Sequence, residues 1–231
     1  MGCQFKANGL YSRMTVGAVL LAAGAGARLG GRPKALLELG GVPLVLRQLV
    51  ALSGAGVDEL AVVLGHHGDA VEAAVRSFPI TLVHNPSPDD GQVASVRQGL
   101  AALSPRLDAL IVALADQPLI DAQDIVALIG AYRHRGTASM VVPRIRQDDG
   151  VVVCGNPVMF DAALRDEWLA GAADLACRKW RDRHPERVHW FETANHHYFV
   201  DIDTPEDIER FAARTGHCLA WPATYAREPV P

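Results

Sequence analysis

VGAVLLAAGAGARLGGRPK, residues 16–34, decides how this chain folds. Residues 16–23 are an unbroken apolar run, the pattern of a strand buried on both faces of a parallel sheet. Gly24, Gly26, Gly30 and Gly31 follow. They let the backbone turn sharply and bring its N–H groups close to an anion. Arg28 and Lys34 add fixed positive charge, and Pro33 stiffens the approach of Lys34. A strand that runs into a glycine-rich, cationic loop is suited to cradling a triphosphate. Two familiar phosphate motifs are excluded. The P-loop needs Gly-Lys followed by Ser or Thr, and here Lys34 lies between Pro33 and Ala35. The dinucleotide fingerprint needs a third glycine where Leu29 stands, and no acidic residue closes the next strand.

Outward from this stretch, strand and helix patterns alternate. Residues 43–52 have helical spacing, with Leu46, Leu49 and Val50 on one face and Pro43 suited to the first turn. Strands are expected at 60–64, 80–83, 109–114 and 139–142. Helices are expected at 70–78, 93–103 and 122–132, the last capped by Asp121. The second half is less regular. Residues 158–160, 188–191 and 198–200 read as strands, and 162–168, 175–182 and 205–214 as helices. Five strands joined by crossover helices predict an α/β, doubly wound, mostly parallel sheet of the Rossmann-like kind. Ligands bind such sheets beyond the carboxyl ends of the strands. The loops after Ala23, Val83 and Leu114 should therefore surround the site. One domain is expected over residues 15–215, with tails at 1–14 and 216–231 and an acceptor-binding lobe in the C-terminal half.

Composition narrows the function. The chain has 231 residues, 49% apolar and 21% charged, enough for a full core. Its net charge is -4 with no basic block, which argues against a nucleic-acid partner. No apolar run reaches the length of a membrane span, and residues 1–14 lack the apolar region of a secretory signal. The four cysteines are far apart and form no CxxC pair, so reduced thiols in a cytoplasmic protein are expected. His66-His67 and His196-His197 are adjacent pairs, and neighbours on a strand point to opposite faces, so neither pair suits one metal. Trp168, Trp180, Trp190 and Trp221 read as packing residues.

Asp116 ends the apolar run 109–115, where a carboxylate is costly unless it is paired or sits at a strand terminus. It is a candidate ligand for Mg2+, which favours one or two carboxylates together with phosphate oxygens; a turn or helix-capping role is the alternative. Gln92 and Ser95 start a helix and could reach a base or ribose, or simply serve that helix start.

With Arg28 and Lys34 at these spacings, the loop resembles that of the MobA-like NTP transferases, and is most similar to the molybdopterin cytidylyltransferases. Gly91-Gln92 with Ser95 matches their G-Q-x-x-S element. Asp116-Gln117-Pro118 matches the metal aspartate, and residues 201–207, DIDTPED, match the closing element. Asn156 stands where relatives often carry His, and DLACR at 174–178 departs from a D-x-G-A-R element at Ala176 and Cys177. The resemblance spans about residues 16–213. It implies transfer of CMP from CTP to the phosphate of molybdopterin, with loss of pyrophosphate. Leu21, Ala22, Ala23, Gly24, Gly26, Arg28, Lys34, Gln92, Ser95 and Asp116 would bind the nucleotide. Arg28, Lys34 and Asp116 would be catalytic. Asn156 and Arg178 would face the acceptor. Asp116 and Asp201 would hold Mg2+, with Asp203 the substitute for Asp201, since Asp203 or Thr204 could instead cap the helix at Pro205. CTP is favoured because the loop reads Leu-Ala-Ala-Gly, where guanylyl relatives tend to carry Leu-Ala-Gly-Gly. A molybdoenzyme or chaperone would receive the product. The departures at 156 and 176–177 leave open another phosphorylated acceptor, or a nucleotide-binding protein that delivers a cofactor without catalysis.

Overall fold

The computed structural model describes residues 13–171 and 177–225. Strand β1 (Val16–Ala22) is buried along its whole length, as its unbroken apolar run requires. It is followed by the short strands β2 (Glu38–Leu39) and β3 (Val42–Pro43), then helix α1 (Leu44–Gly54) and strand β4 (Glu59–Leu64). Next come α2 (Gly68–Val75), β5 (Thr81–His84), α3 (Gln92–Ala102), β6 (Ala109–Leu114) and α4 (Ala122–Arg133). The second half contributes β7 (Met140–Arg146), β8 (Val152–Cys154), β9 (Val158–Asp161), α5 (Ala162–Ala170), α6 (Cys177–Arg183), β10 (Val188–Glu192), α7 (Pro205–Thr215) and β11 (Leu219–Ala220).

The main sheet runs β10-β7-β9-β6-β1-β4-β5, with β8 added against β7. β1 pairs in parallel with both β4 and β6, so it lies in the middle of the first half. β9 is antiparallel to β6 and to β7, which makes the sheet mostly parallel. Alternate residues of β1 serve different layers. Ala18, Leu20 and Ala22 pack with Leu49 of α1, Val71 of α2 and Leu128 of α4. Val19 and Leu21 pack on the other face with Leu100 of α3 and Trp168 of α5. This division is the period of two in a strand, expressed as two helical layers. α3 lies so close to the sheet that a Cβ on Gly99 would sit 2.4 Å from Val19 Cγ1.

Trp168 and Trp180 are fully buried, with ring centroids 6.3 Å apart, and Arg144 lies 4.7 Å over the Trp190 ring. Asp121 caps α4, accepting from the Asp124 N–H at 3.1 Å, while Asp124 accepts from the Asp121 N–H at 2.9 Å. Such a reciprocal cap contributes about 1 kcal/mol.

Three local expectations need correction. Pro43 ends β3 and precedes α1 rather than lying in its first turn. Residues 198–200 are not a strand: His196–Phe199 form a 3-10 turn capped by Asn195, because Tyr198 is buried and its hydroxyl donates to the Asp124 carbonyl at 2.7 Å. Beyond residue 216 the chain does not simply trail away, since β11 pairs antiparallel with β2 and Arg32 lies 4.4 Å over the Trp221 ring. A satellite core of Leu29, Leu37, Leu44, Ile202, Phe211 and Leu219 thus joins the glycine-rich loop to the last helix. Residues 174–176 of the DLACR element lie outside the described residues.

Candidate active site

The loops at the carboxyl ends of β1, β5 and β6 converge, as the sheet topology predicts. After β1 the chain turns at Gly26, whose φ is 64°. A Cβ there would lie 2.0 Å from the Arg32 carbonyl oxygen, so only glycine fits. The Gly26 carbonyl accepts from Leu29 N–H at 2.8 Å and Gly31 N–H at 3.0 Å. Buried Arg32 locks the turn, its Nε donating to the Leu29 carbonyl at 3.0 Å. On the outer side, His67 Nε2 donates to the Ala25 carbonyl at 3.1 Å, which puts its proton on Nε2.

Lys34 and Asp116 are joined by a short ion pair. Lys34 Nζ also donates to Asp203 Oδ1 at 2.9 Å, and Arg28 Nη2 donates to Asp203 Oδ2 at 2.8 Å. Burial works against the Lys34 charge, but Asp116 and Asp203 outweigh it and hold the ammonium above its ordinary range. Burial pushes the Asp203 carboxyl up, yet Lys34 and Arg28 prevail and hold it below the usual carboxylate range. Asp201 differs. Burial, with Asp116 and Asp203 adding repulsion, raises its carboxyl above that range. The Ile202 N–H donates to the Asp116 carbonyl at 3.1 Å, which fixes the 201–203 segment beside Asp116.

Two cavities meet here. One, of about 170 Å³, is bordered by Ala23, Gly24, Gly91 and Ser95. The other, of about 710 Å³, is bordered by Asn156, Cys154, Arg178, Arg181, Asp201 and Asp203, over an apolar floor that includes Val112, Met140 and Val158. Lys34, Gln92, Leu114 and Asp116 line both. Leu21 lines the smaller cavity, and Ala22 borders a minor cleft under the loop. Gly26 and Arg28 line neither, although Arg28 reaches Asp203 on the rim of the larger one. Ser95 Oγ accepts from Asn85 Nδ2 at 2.9 Å, which leaves its own proton available. Gln117 joins the halves: its Nε2 donates to the carbonyls of Asn156 and Tyr198, each at 3.2 Å.

The oxygen Asp116 Oδ1 is buried and has no hydrogen-bond partner. A buried carboxylate oxygen left unpaired is costly unless it serves a ligand. With Asp201 under repulsion from two neighbouring carboxylates, the donor set suits a divalent cation. Another acidic group, Asp121, Asp124 and His197, has its ligand atoms within 4.8 Å of one another. Its bonds are already spent on structure, because Asp124 accepts from His197 Nδ1 at 2.8 Å and Asn195 Nδ2 at 2.6 Å.

Sequence reasoning did not single out His67 or Arg32 as supports of the loop. Each bonds to a backbone carbonyl, which leaves no trace in residue type or spacing.

Comparison with known proteins agrees with this geometry. The model of the MobA-like NTP transferase domain matches residues 18–188. The chain is 32% identical to nicotine blue oxidoreductase of Paenarthrobacter nicotinovorans, over 83% of this chain and 94% of that protein. It is 31% identical to the molybdenum cofactor guanylyltransferase of Pseudomonas fluorescens, over 66% of this chain and 73% of that one. Among solved structures, Rv0371c of Mycobacterium tuberculosis superposes with a TM-score of 0.70 at 28% identity, covering 87% of this chain and 100% of that one. A second structure of Rv0371c, in complex with manganese, covers 85% and 97% with a TM-score of 0.62 at 26% identity. The matched residues contain the glycine-rich loop, Lys34 and Asp116, and on that extent the chain belongs to the MobA-like NTP transferase domain family of nucleotidyltransferases.

Proposed function

We propose that this chain transfers the CMP unit of CTP to the phosphate of molybdopterin and releases pyrophosphate. The observation that carries this reading is the junction of the two cavities at Lys34 and Asp116. A nucleotide seated by Gly24 and Gln92 would bring its α-phosphorus to the point where an acceptor phosphate arrives from the larger cavity. An acceptor phosphate oxygen attacks that phosphorus, and the bond to the bridging α–β oxygen breaks, so that oxygen leaves with the pyrophosphate. Both reactants are anions, so positioning and charge stabilisation are the chemical task. Lys34 and Arg28 would hold the leaving phosphates. Asp116 and Asp201 would hold Mg2+, which supplies charge neutralisation at the phosphates. Asn156, Arg178 and Arg181 border the cavity that would take the acceptor.

The Leu-Ala-Ala-Gly loop favours CTP. Ala23 borders the smaller cavity and is backed by Gly65, where any Cβ would come 2.8 Å from the Ala23 methyl. The similarity to an oxidoreductase over nearly its whole length favours a second reading, in which the same cavities serve a redox reaction.

Melting temperature measured with CTP, GTP, ATP and UTP, with and without Mg2+, tests the nucleotide site. Ligand at about 100 times its dissociation constant should stabilise the fold by roughly 2.7 kcal/mol. The expected result is a Mg2+-dependent shift with CTP and pyrophosphate release on adding molybdopterin. A preference for GTP would keep the reaction and remove the cytidylyl assignment. Nucleotide binding with no release of pyrophosphate from CTP when molybdopterin is added would remove molybdopterin as the acceptor and favour the second reading.

A further inference from the structure

We propose that Asp203 is a positioning residue that takes the place of the triphosphate, holding Arg28 and Lys34 on a carboxylate until the nucleotide displaces it. The inference rests on the nucleotide-site reading above and concerns what the site does before substrate arrives.

The two oxygens of Asp203 divide the loop's cations between them. Oδ2 accepts from Arg28 Nη2 at 2.8 Å and Oδ1 from Lys34 Nζ at 2.9 Å. Lys34 is further engaged by Asp116. Both cations offered by the glycine-rich loop are therefore already neutralised by carboxylates. A carboxylate and a phosphate present similar acceptor oxygens to guanidinium and ammonium groups, so one can replace the other.

The position of Asp203 does not depend on those cations. Its own N–H donates to Asp207 Oδ2 at 3.1 Å and the Thr204 N–H donates to the same oxygen at 2.9 Å. Thr204, not Asp203, caps α7, with its Oγ1 accepting from the Asp207 N–H at 3.2 Å. The carboxylate thus stands on a rigid helix start, and the contact reaches across 175 residues to Arg28 and 169 to Lys34. Exchange is easy because the Arg28 side chain is 66% exposed, and pairs so exposed are weak.

This role separates Asp203 from Asp201. Asp203 binds cations of the protein, whereas Asp201, held above the usual carboxylate range by burial and its acidic neighbours, has no cation of its own bonded to it among the described residues. Arrival of a triphosphate draws Arg28 and Lys34 off Asp203 and off Asp116. The apo site keeps its loop ordered at the expense of affinity for the free anion.

Calorimetric titration of sodium triphosphate at low ionic strength with chelator present, and of CTP with Mg2+, into the wild type, Asp203→Asn and Asp203→Ala tests the proposal. Removing the competing charge should tighten triphosphate binding in chelator about five- to tenfold, the size of two partly exposed ion pairs. Asparagine keeps the side-chain shape, and the cap on Thr204 is untouched, so both variants fold. Weaker triphosphate binding in both variants would mean that Asp203 only braces the loop, and would overturn the proposal. Unchanged triphosphate binding with loss of the Mg2+ enhancement would make Asp203 a metal ligand, and would overturn it too. A wild type that binds neither ligand refutes the nucleotide site itself, a result distinct from either of these.

Discussion

The two cavities that meet at Lys34 and Asp116 are built in different ways. The smaller is shaped by backbone: turns at positive-φ glycines, a locked loop and the start of α3, all at the ends of neighbouring parallel strands. The larger is shaped by side chains from distant segments, with an apolar floor under the antiparallel strand β9 and a rim from β8 and α6. On the proposed reading, the first would recognise what every triphosphate has in common, and the second would carry whatever distinguishes one acceptor from another.

Four substitutions sharpen or break the contrast. Asp116→Ala should have the largest effect, because it removes the one carboxylate among the four described residues that line both cavities. Pyrophosphate release should fall by roughly 10³-fold, the scale of losing one preorganised electrostatic group. Retention of a substantial rate would remove the junction as the reaction centre. Gly26→Ala should act chiefly on the smaller cavity, through the loop that borders it. Forcing a side chain to φ 64° against the Arg32 carbonyl costs about 1–3 kcal/mol, so nucleotide affinity should drop roughly 10- to 100-fold in calorimetry. Acceptor binding should be unchanged.

Gln117→Leu should act on the other side. It removes the amide that joins the Asp116 loop to Asn156 and Tyr198, and leaves the Asn156 carbonyl without this donor at a cost of about 1–3 kcal/mol, while the Tyr198 carbonyl keeps the Asn156 N–H at 2.9 Å. Steady-state kinetics should show the acceptor KM raised about tenfold and the nucleotide KM nearly constant. Equal rises in both would mean that the halves are not separable.

Tyr132→Phe gives the smallest effect, in alkali. The Tyr132 hydroxyl donates to Asp161 at the end of β9, at 2.6 Å. Burial, then Asp161, raises its phenol above the ordinary value. Stability from the neutral phenol is complete below the unfolded value, about 10, and is lost as pH rises toward the folded one. Chemical denaturation should show the wild type losing at most about 1.4 kcal/mol per pH unit more than Tyr132→Phe above pH 10. Parallel curves would detach this bond from the stability of the acceptor half.

Much of the first half was readable in the sequence, because its signals are local. A strand buried on both faces needs an uninterrupted apolar run, and β1 has one. Asp121 and the Thr204-to-Asp207 pair announce helix starts by type and spacing. The elements that escaped are those decided by partners far along the chain. Residues 198–200 have strand-like composition, but the Tyr198 hydroxyl finds the Asp124 carbonyl and fixes a turn. Leu219 and Trp221 looked like the beginning of a tail, yet β2 and Arg32 give them partners. At the site, Asp116 stood out as a carboxylate ending an apolar run. The pairing of Asp203 with Arg28 and Lys34 could not be seen, since nothing in DIDTPED says which aspartate faces the loop.

The satellite core has a consequence for synthesis. Translation delivers about 5–20 residues per second. At that pace Arg28 waits roughly 10–35 seconds for the carboxylate that lies 175 residues later. Ile202, Phe211 and Leu219, which pack beneath Leu29 and Leu37, emerge as late. A nascent chain can therefore complete its central parallel strands well before its glycine-rich loop has anything to rest on, and a message cut short before Leu219 would lack part of the core beneath that loop.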